Sequence, residues 1–163
     1  MSSLILTARI DSENQVFFDK MRQQHFPKEI NLLNAHLTLF HKLPDAPATY
    51  EILEQVVEKP FEATISEIKS IGRGVAYFLS SPELLQIRSS LKHKFQTQLS
   101  LQDQQGYRPH ITIQNKVKPE DAKQLLQEIA SSFEPFKIVI EGLDLWYYLD
   151  GPWKHARHLP FYS

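Results

Sequence analysis

The chain contains no cysteine. That absence excludes a disulfide framework, a thiolate nucleophile and a Cys-ligated zinc centre, and it agrees with a reducing compartment. Long apolar runs are missing too. Nothing in the sequence approaches the roughly 18 residues that span a bilayer, and Leu4-Ile5-Leu6 is too short for a signal-peptide core. A cytoplasmic protein without a membrane partner is therefore expected. Nor is there an excess of charge of one sign: 18 Lys and Arg stand against 19 Asp and Glu, for a net charge of -1. A protein that coats long nucleic acid needs many uncompensated cations, so that class is excluded, whereas a small nucleotide or an RNA end remains compatible. At 163 residues and 42% hydrophobic content the chain can bury one substantial core. It is too short for two ordinary independent domains, so a single unit over 1–163, acting as a monomer, is expected.

What the sequence does have is a motif stated twice, His36-Leu37-Thr38-Leu39 and His110-Ile111-Thr112-Ile113. In an extended strand, His and Thr two residues apart share one face while the aliphatic residues anchor the other in a core. From 7 His, 6 Thr and 39 Leu, Ile and Val, one such string is expected roughly 0.015 times by chance, which puts two copies on the order of 10⁻⁴. The duplication is a signal.

Around the motifs the pattern predicts a strand over Leu4 to Ile10, then a helix to about Phe26 with Ser12 and Gln15 as a capping box. The first motif strand follows over Ala35 to His41, then a helix over Thr49 to Glu58 capped by Thr49. Phe61 to Ser70 and Val75 to Ser80 read as a hairpin about Gly72-Arg73-Gly74. Ser81 and Pro82 open a helix running to about Leu99, followed by a polar loop. The second motif strand spans about Tyr107 to Asn115, a helix runs from Pro119 to near Ser132, and Phe136 to Leu149 pairs with Trp153 to Leu159. Pro60-Phe61 with Ile65 repeats as Pro135-Phe136 with Ile140 at an offset of 75, against 74 for the histidines. Two landmarks agreeing within one residue indicate an internal repeat, with Leu4 to Ile10 as an additional strand. The expected fold is α+β and bilobal: two pseudo-twofold lobes, about 1–80 and 81–163, each with a mainly antiparallel sheet and outer helices, and a groove between them.

Two imidazoles in one groove supply a base and an acid, because an imidazole titrating near pH 6.5 can serve as either. Splitting a phosphodiester needs both, and each role is worth about 10²–10⁴ in rate. Threonine hydroxyls can donate to the non-bridging phosphate oxygens as charge gathers there. No metal or organic cofactor is required by such a mechanism.

These residues bring a family into view. "HLTLFHKL" and "YRPHITIQNKV", in a repeated chain of this size, resemble the two-histidine phosphoesterase superfamily of 2'-5' RNA ligase-like proteins and RNA 2',3'-cyclic phosphodiesterases. The resemblance covers essentially the whole chain. It implies catalytic roles for His36 and His110 and phosphate binding by Thr38 and Thr112, with a substrate that is a small nucleotide or an RNA end carrying a cyclic phosphate or a 2'-5' linkage. Run in reverse, the same chemistry joins RNA ends. The basic residue that relatives often carry soon after the second motif is displaced here, since Gln114 and Asn115 precede Lys116.

By alternation, Arg108 and Asn34, two residues before each motif histidine, point into the groove if the strands extend that far. Arg108 suits phosphate, and is equally a solvated strand end. Tyr107, Phe40, Trp146 and Tyr148 are candidate stacking rings, more often core than site. His41, Lys42 and Lys116 read as solvated strand ends, and His155 and His158, three apart in a strand, fall on opposite faces and form a poor metal pair. Which histidine is base and which is acid stays open. The rival class is a non-catalytic module that binds nucleotide or RNA phosphate.

Overall fold

The fold is that of a computed structural model, which describes residues 2–162. In chain order it comprises β1 (Ser3–Ile10), α1 (Ser12–His25), β2 (Leu37–Pro44), α2 (Pro47–Glu54), β3 (Phe61–Ser70) and β4 (Val75–Ser80). There follow α3 (Pro82–Phe95), α4 (Leu101–Gln104), β5 (His110–Gln114), α5 (Pro119–Ala130), β6 (Phe136–Tyr148) and β7 (Trp153–Pro160). Strand pairing is antiparallel throughout. The class expected from sequence, mixed helices and antiparallel strands, is the class observed.

The pairing explains the repeat. The order β1-β2-β5-β4-β3-β6 closes on itself because β6 also pairs with β1, and β7 lies outside the ring on β6. Leu37 sits opposite Ile111, its own counterpart at an offset of 74, and Ala63 sits opposite Ile138, its counterpart at 75. Each repeated stretch therefore pairs with its own copy about a central residue, with Phe61 opposite Ile140 and Ile65 opposite Phe136, as antiparallel segments related by a local twofold axis do. The equivalent strands are β1 and β4, β2 and β5, β3 and β6, so the strand outside the repeat is β7, not Leu4 to Ile10. Every strand of the first half bonds to a strand of the second.

The aliphatic faces do what alternation demands. Leu37, Leu39, Ile111 and Ile113 are all buried, joining Leu4, Leu6, Ile65, Ile140 and Leu145 in one core. Phe18, Tyr77, Phe133 and Phe136 form an aromatic cluster under α1, in which Phe18 meets Tyr77 and Phe133 meets Phe136 edge to face while Phe18 stacks on Phe136.

Several local expectations are corrected. The cap of α1 is Asp11, whose carboxylate accepts from the Asn14 N–H at 3.2 Å and from the Val139 N–H at 2.8 Å, tying the helix start to β6. Thr49 is not a cap. The helix starts at Pro47, and the Thr49 hydroxyl donates back to the Pro44 carbonyl at 2.7 Å. Ser81 does cap α3, accepting from Leu84 N–H at 3.1 Å. The loop after α3 contains α4, started by Ser100, and β2 and β5 both begin later than expected.

Candidate active site

His36 lies one residue before β2, and His110 opens β5. The register that sets Leu37 opposite Ile111 puts His36 level with Thr112 and Thr38 level with His110. Since the two aliphatic residues point into the core, both His/Thr pairs turn to the opposite face. There they line one cavity of about 400 Å³. The four residues singled out by the duplicated motif thus share a pocket, drawn together by the single pairing between β2 and β5.

The two histidines are held alike. His36 Nδ1 lies 2.8 Å from the Asn34 carbonyl, and His110 Nδ1 lies 2.8 Å from the Arg108 carbonyl. A carbonyl can only accept, so each Nδ1 carries its proton and each Nε2 is left free for chemistry. Each ring also rests on another. Trp153 packs at 4.6 Å from His36, and Phe78, opposite His110 across β4 and β5, stacks on it at 5.1 Å and 25°.

The surroundings make them unequal. Burial pulls the His36 imidazole down to about 4. Its bond to the Asn34 carbonyl opposes that shift, while the positive charges of Arg22, His41 and His110 add to it. A neutral His36 at pH 7 follows.

Arg108 precedes β5 rather than continuing it, so the strand argument for its direction does not apply. It nevertheless lines the cavity, its guanidinium 5.1 Å from the Phe78 ring. Asn34 borders a second cavity instead, of about 350 Å³, which His36 also lines. Lys116 is exposed, at a left-handed φ of 62°, and does not line the motif cavity.

Sequence reading missed the floor of the cavity. His41, expected as a solvated strand end, lines it and hydrogen-bonds to Asp103 of α4 at 3.1 Å. Asp103 is 1% exposed and also accepts from the backbone N–H groups of His41 and Lys42 at 2.9 Å. Burial alone would raise its pKa, but the His41 ring and these N–H groups outweigh it and hold the carboxyl below its usual range. Arg88 of α3 donates to the carbonyls of Leu39 and Asp103, each at 2.7 Å, and stacks 4.0 Å over Phe40. Tyr107 donates its hydroxyl to the Thr38 carbonyl at 2.8 Å. Of the candidate stacking rings, Phe40 is core, Tyr107 lines the cavity, Tyr148 is exposed, and Trp146 donates to the Thr7 hydroxyl at 2.9 Å. No local pattern announces such a floor, because α4 is four residues long and its partners lie some 60 positions away in sequence.

His155 and His158 do not fall on opposite faces. A bulge in β7 leaves Ala156 unpaired, since Leu145 pairs with Arg157 and Trp146 with His155, so both histidines reach Asp144, at 2.8 and 3.3 Å, beside a bidentate Arg9. Among the described residues no helix is long and apolar enough to cross a membrane.

The fold has counterparts among solved structures. The solved structure of Escherichia coli LigT complexed with 3'-AMP matches with a TM-score of 0.64 at 18% identity, covering 99% of each chain. LigT complexed with NADP+ matches at 0.62 and 18% identity, again over 99% of each. TT0787 of Thermus thermophilus matches at 0.67 and 16% identity, over 98% of this chain and 97% of that one. At such identities the likeness is one of fold. No curated protein matches the sequence. The profile of the 2'-5' RNA ligase superfamily matches residues 10–152, and this chain, with its paired His/Thr strands inside that span, belongs to the 2'-5' RNA ligase superfamily.

Proposed function

We propose that this protein is a phosphoesterase that opens a 2',3'-cyclic phosphate, or cleaves a 2'-5' phosphodiester, on a small nucleotide or RNA end without a metal ion. The observation that carries the reading is the meeting of His36, Thr38, His110 and Thr112 in one cavity, each histidine presenting Nε2. The chain is a member of a superfamily named for RNA ligation, and the LigT structures hold nucleotides, 3'-AMP and NADP+ among them.

Neutral His36 is the base and His110 the acid. His36 Nε2 takes a proton from water as the water oxygen bonds to phosphorus. The bond from phosphorus to the ribose oxygen breaks, and His110 Nε2 delivers its proton to that oxygen, leaving a phosphomonoester beside a free hydroxyl. Thr38, Thr112 and Arg108 donate to the non-bridging oxygens, where negative charge grows in the transition state. The Asn34 and Arg108 carbonyls keep each ring in the required tautomer and stabilise it when charged.

The test is turnover of 2',3'-cyclic nucleotides and a 2'-5'-linked dinucleotide in EDTA. His36→Ala and His110→Ala are each expected to lose about 10²–10⁴ in kcat. Unchanged turnover in both, or tight nucleotide binding with no product from the unaltered protein, refutes the reading; the second outcome assigns a binding module instead.

A further inference from the structure

Helix α1 carries Gln15, Asp19 and Arg22 at spacings of four and three, which places them on one face. That face grips both motifs. Gln15 Nε2 donates to the Ala35 carbonyl at 2.8 Å and to Asp19 Oδ1 at 2.9 Å, and Asp19 Oδ1 accepts the Ala35 N–H at 2.9 Å. Both backbone polar groups of Ala35 are therefore held by the helix. This matters because Ala35 and His36 precede β2, so no sheet ladder fixes the backbone that aims the His36 ring.

One turn further along, Arg22 reaches the other motif. Its Nη1 donates to the Thr112 carbonyl at 3.2 Å and its Nε to Asn31 Oδ1 at 2.8 Å, while the guanidinium lies 3.9 Å over Phe26. Arg22 is 4% exposed. A buried charge normally finds an opposite charge. Among the described residues no carboxylate hydrogen-bonds Arg22: both of its acceptors are neutral oxygens, and Asp19, the acid whose charge acts on it, is engaged with Ala35 and Gln15.

We propose that this face of α1 is a clamp across the two motif strands, with Arg22 the positioning residue that fixes the Thr112 strand against His36 and places a positive charge behind the phosphate site. Gln15 and Asp19 hold the first motif's entry, and Arg22 holds the second motif at its threonine. Burial draws Arg22 itself down to about 10, still fully charged at pH 7, and its field is one of the influences that keep His36 neutral. The other charged and titratable groups around His36 are His41 of β2, His110 of β5, Arg88, Asp103, Tyr107 and Arg108 about the same cavity, and, around the neighbouring cavity, Glu141 and the paired Arg9 and Asp144.

The catalytic consequence rests on the proposed function, but the effect on His36 does not. The measurement is the His36 titration midpoint by NMR of the histidine rings, alongside kcat and KM for a 2',3'-cyclic nucleotide. Arg22→Met keeps the apolar stem and removes the charge; the midpoint is expected to rise by about one unit, with kcat falling roughly tenfold through misalignment. Arg22→Lys keeps the charge without the two-point grip, so the midpoint stays while kcat still falls. Asp19→Asn leaves an acceptor for the Ala35 N–H but removes the negative charge that offsets Arg22, and the midpoint moves down. The clamp is overturned if Arg22→Met and Asp19→Asn leave the midpoint unmoved or shift it the same way. Should Arg22→Met not fold, Arg22→Lys with unaltered kcat together with an unmoved midpoint in Asp19→Asn overturns it equally. Full turnover in His36→Ala would instead sink the proposed function, leaving the midpoint shifts to stand or fall alone.

Discussion

Protonating His36 should cost this protein stability, and the size of the cost follows from its surroundings. The folded-state value of about 4 lies below the ordinary 6.5, mainly because burial penalises the charged ring. The folded state therefore binds fewer protons than the unfolded chain between those two values, and stability falls as pH drops through that window. The contribution is intact above pH 6.5 and is fully lost below pH 4. A difference of 2.5 units is worth about 3 kcal/mol in all, of which about 2 kcal/mol is lost between pH 7 and pH 5. The comparison that isolates it is His36→Asn, whose amide N–H₂ can occupy the Nδ1 position and keep the bond to the Asn34 carbonyl, yet does not titrate. Urea unfolding followed by circular dichroism at pH 7 and pH 5 should show the unaltered protein losing about 2 kcal/mol more than the variant. Carboxylates contribute equally to both proteins and cancel. Equal losses would mean that His36 is not held neutral, and the assignment of His36 as base would fall with it.

Asp103→Asn should destabilise the protein by about 3 kcal/mol, because the charge that Oδ1 and Oδ2 present to the His41 and Lys42 N–H groups and to the His41 ring is lost, and one of the two acceptor oxygens becomes an N–H₂ facing the His41 N–H or the Lys42 N–H. A change below about 1 kcal/mol in urea unfolding would show that the cavity floor does not depend on this charge. Gly74→Ala should be more severe. A Cβ there would overlap the Gln114 carbonyl oxygen, a backbone atom that cannot move without parting β4 from β5. A loss above about 3 kcal/mol in thermal unfolding is expected, and a wild-type melting temperature would contradict the packing described.

The duplicated His-aliphatic-Thr-aliphatic string determined much by itself. Alternation in an extended chain assigns Leu37, Leu39, Ile111 and Ile113 to the core and the polar pairs to the other face, whatever the strands' neighbours. Apolar alternation and turn residues likewise placed most of the strands close to their observed positions, and Ser81 as the cap of α3. Those are local consequences of backbone geometry. What sequence could not carry is the pairing partner. The Leu37 to Ile111 register brings the two motifs into one cavity, and the β7 bulge at Ala156 sends His155 and His158 to the same carboxylate. Arg22, Asp103 and Arg88 each look like ordinary residues in a polar helix or loop. They become parts of the site only because their partners, Thr112, His41 and Leu39, lie tens of residues away. Periodicity records which face a side chain takes, while contact across the chain is settled by how hydrophobic burial closes the strands on one another.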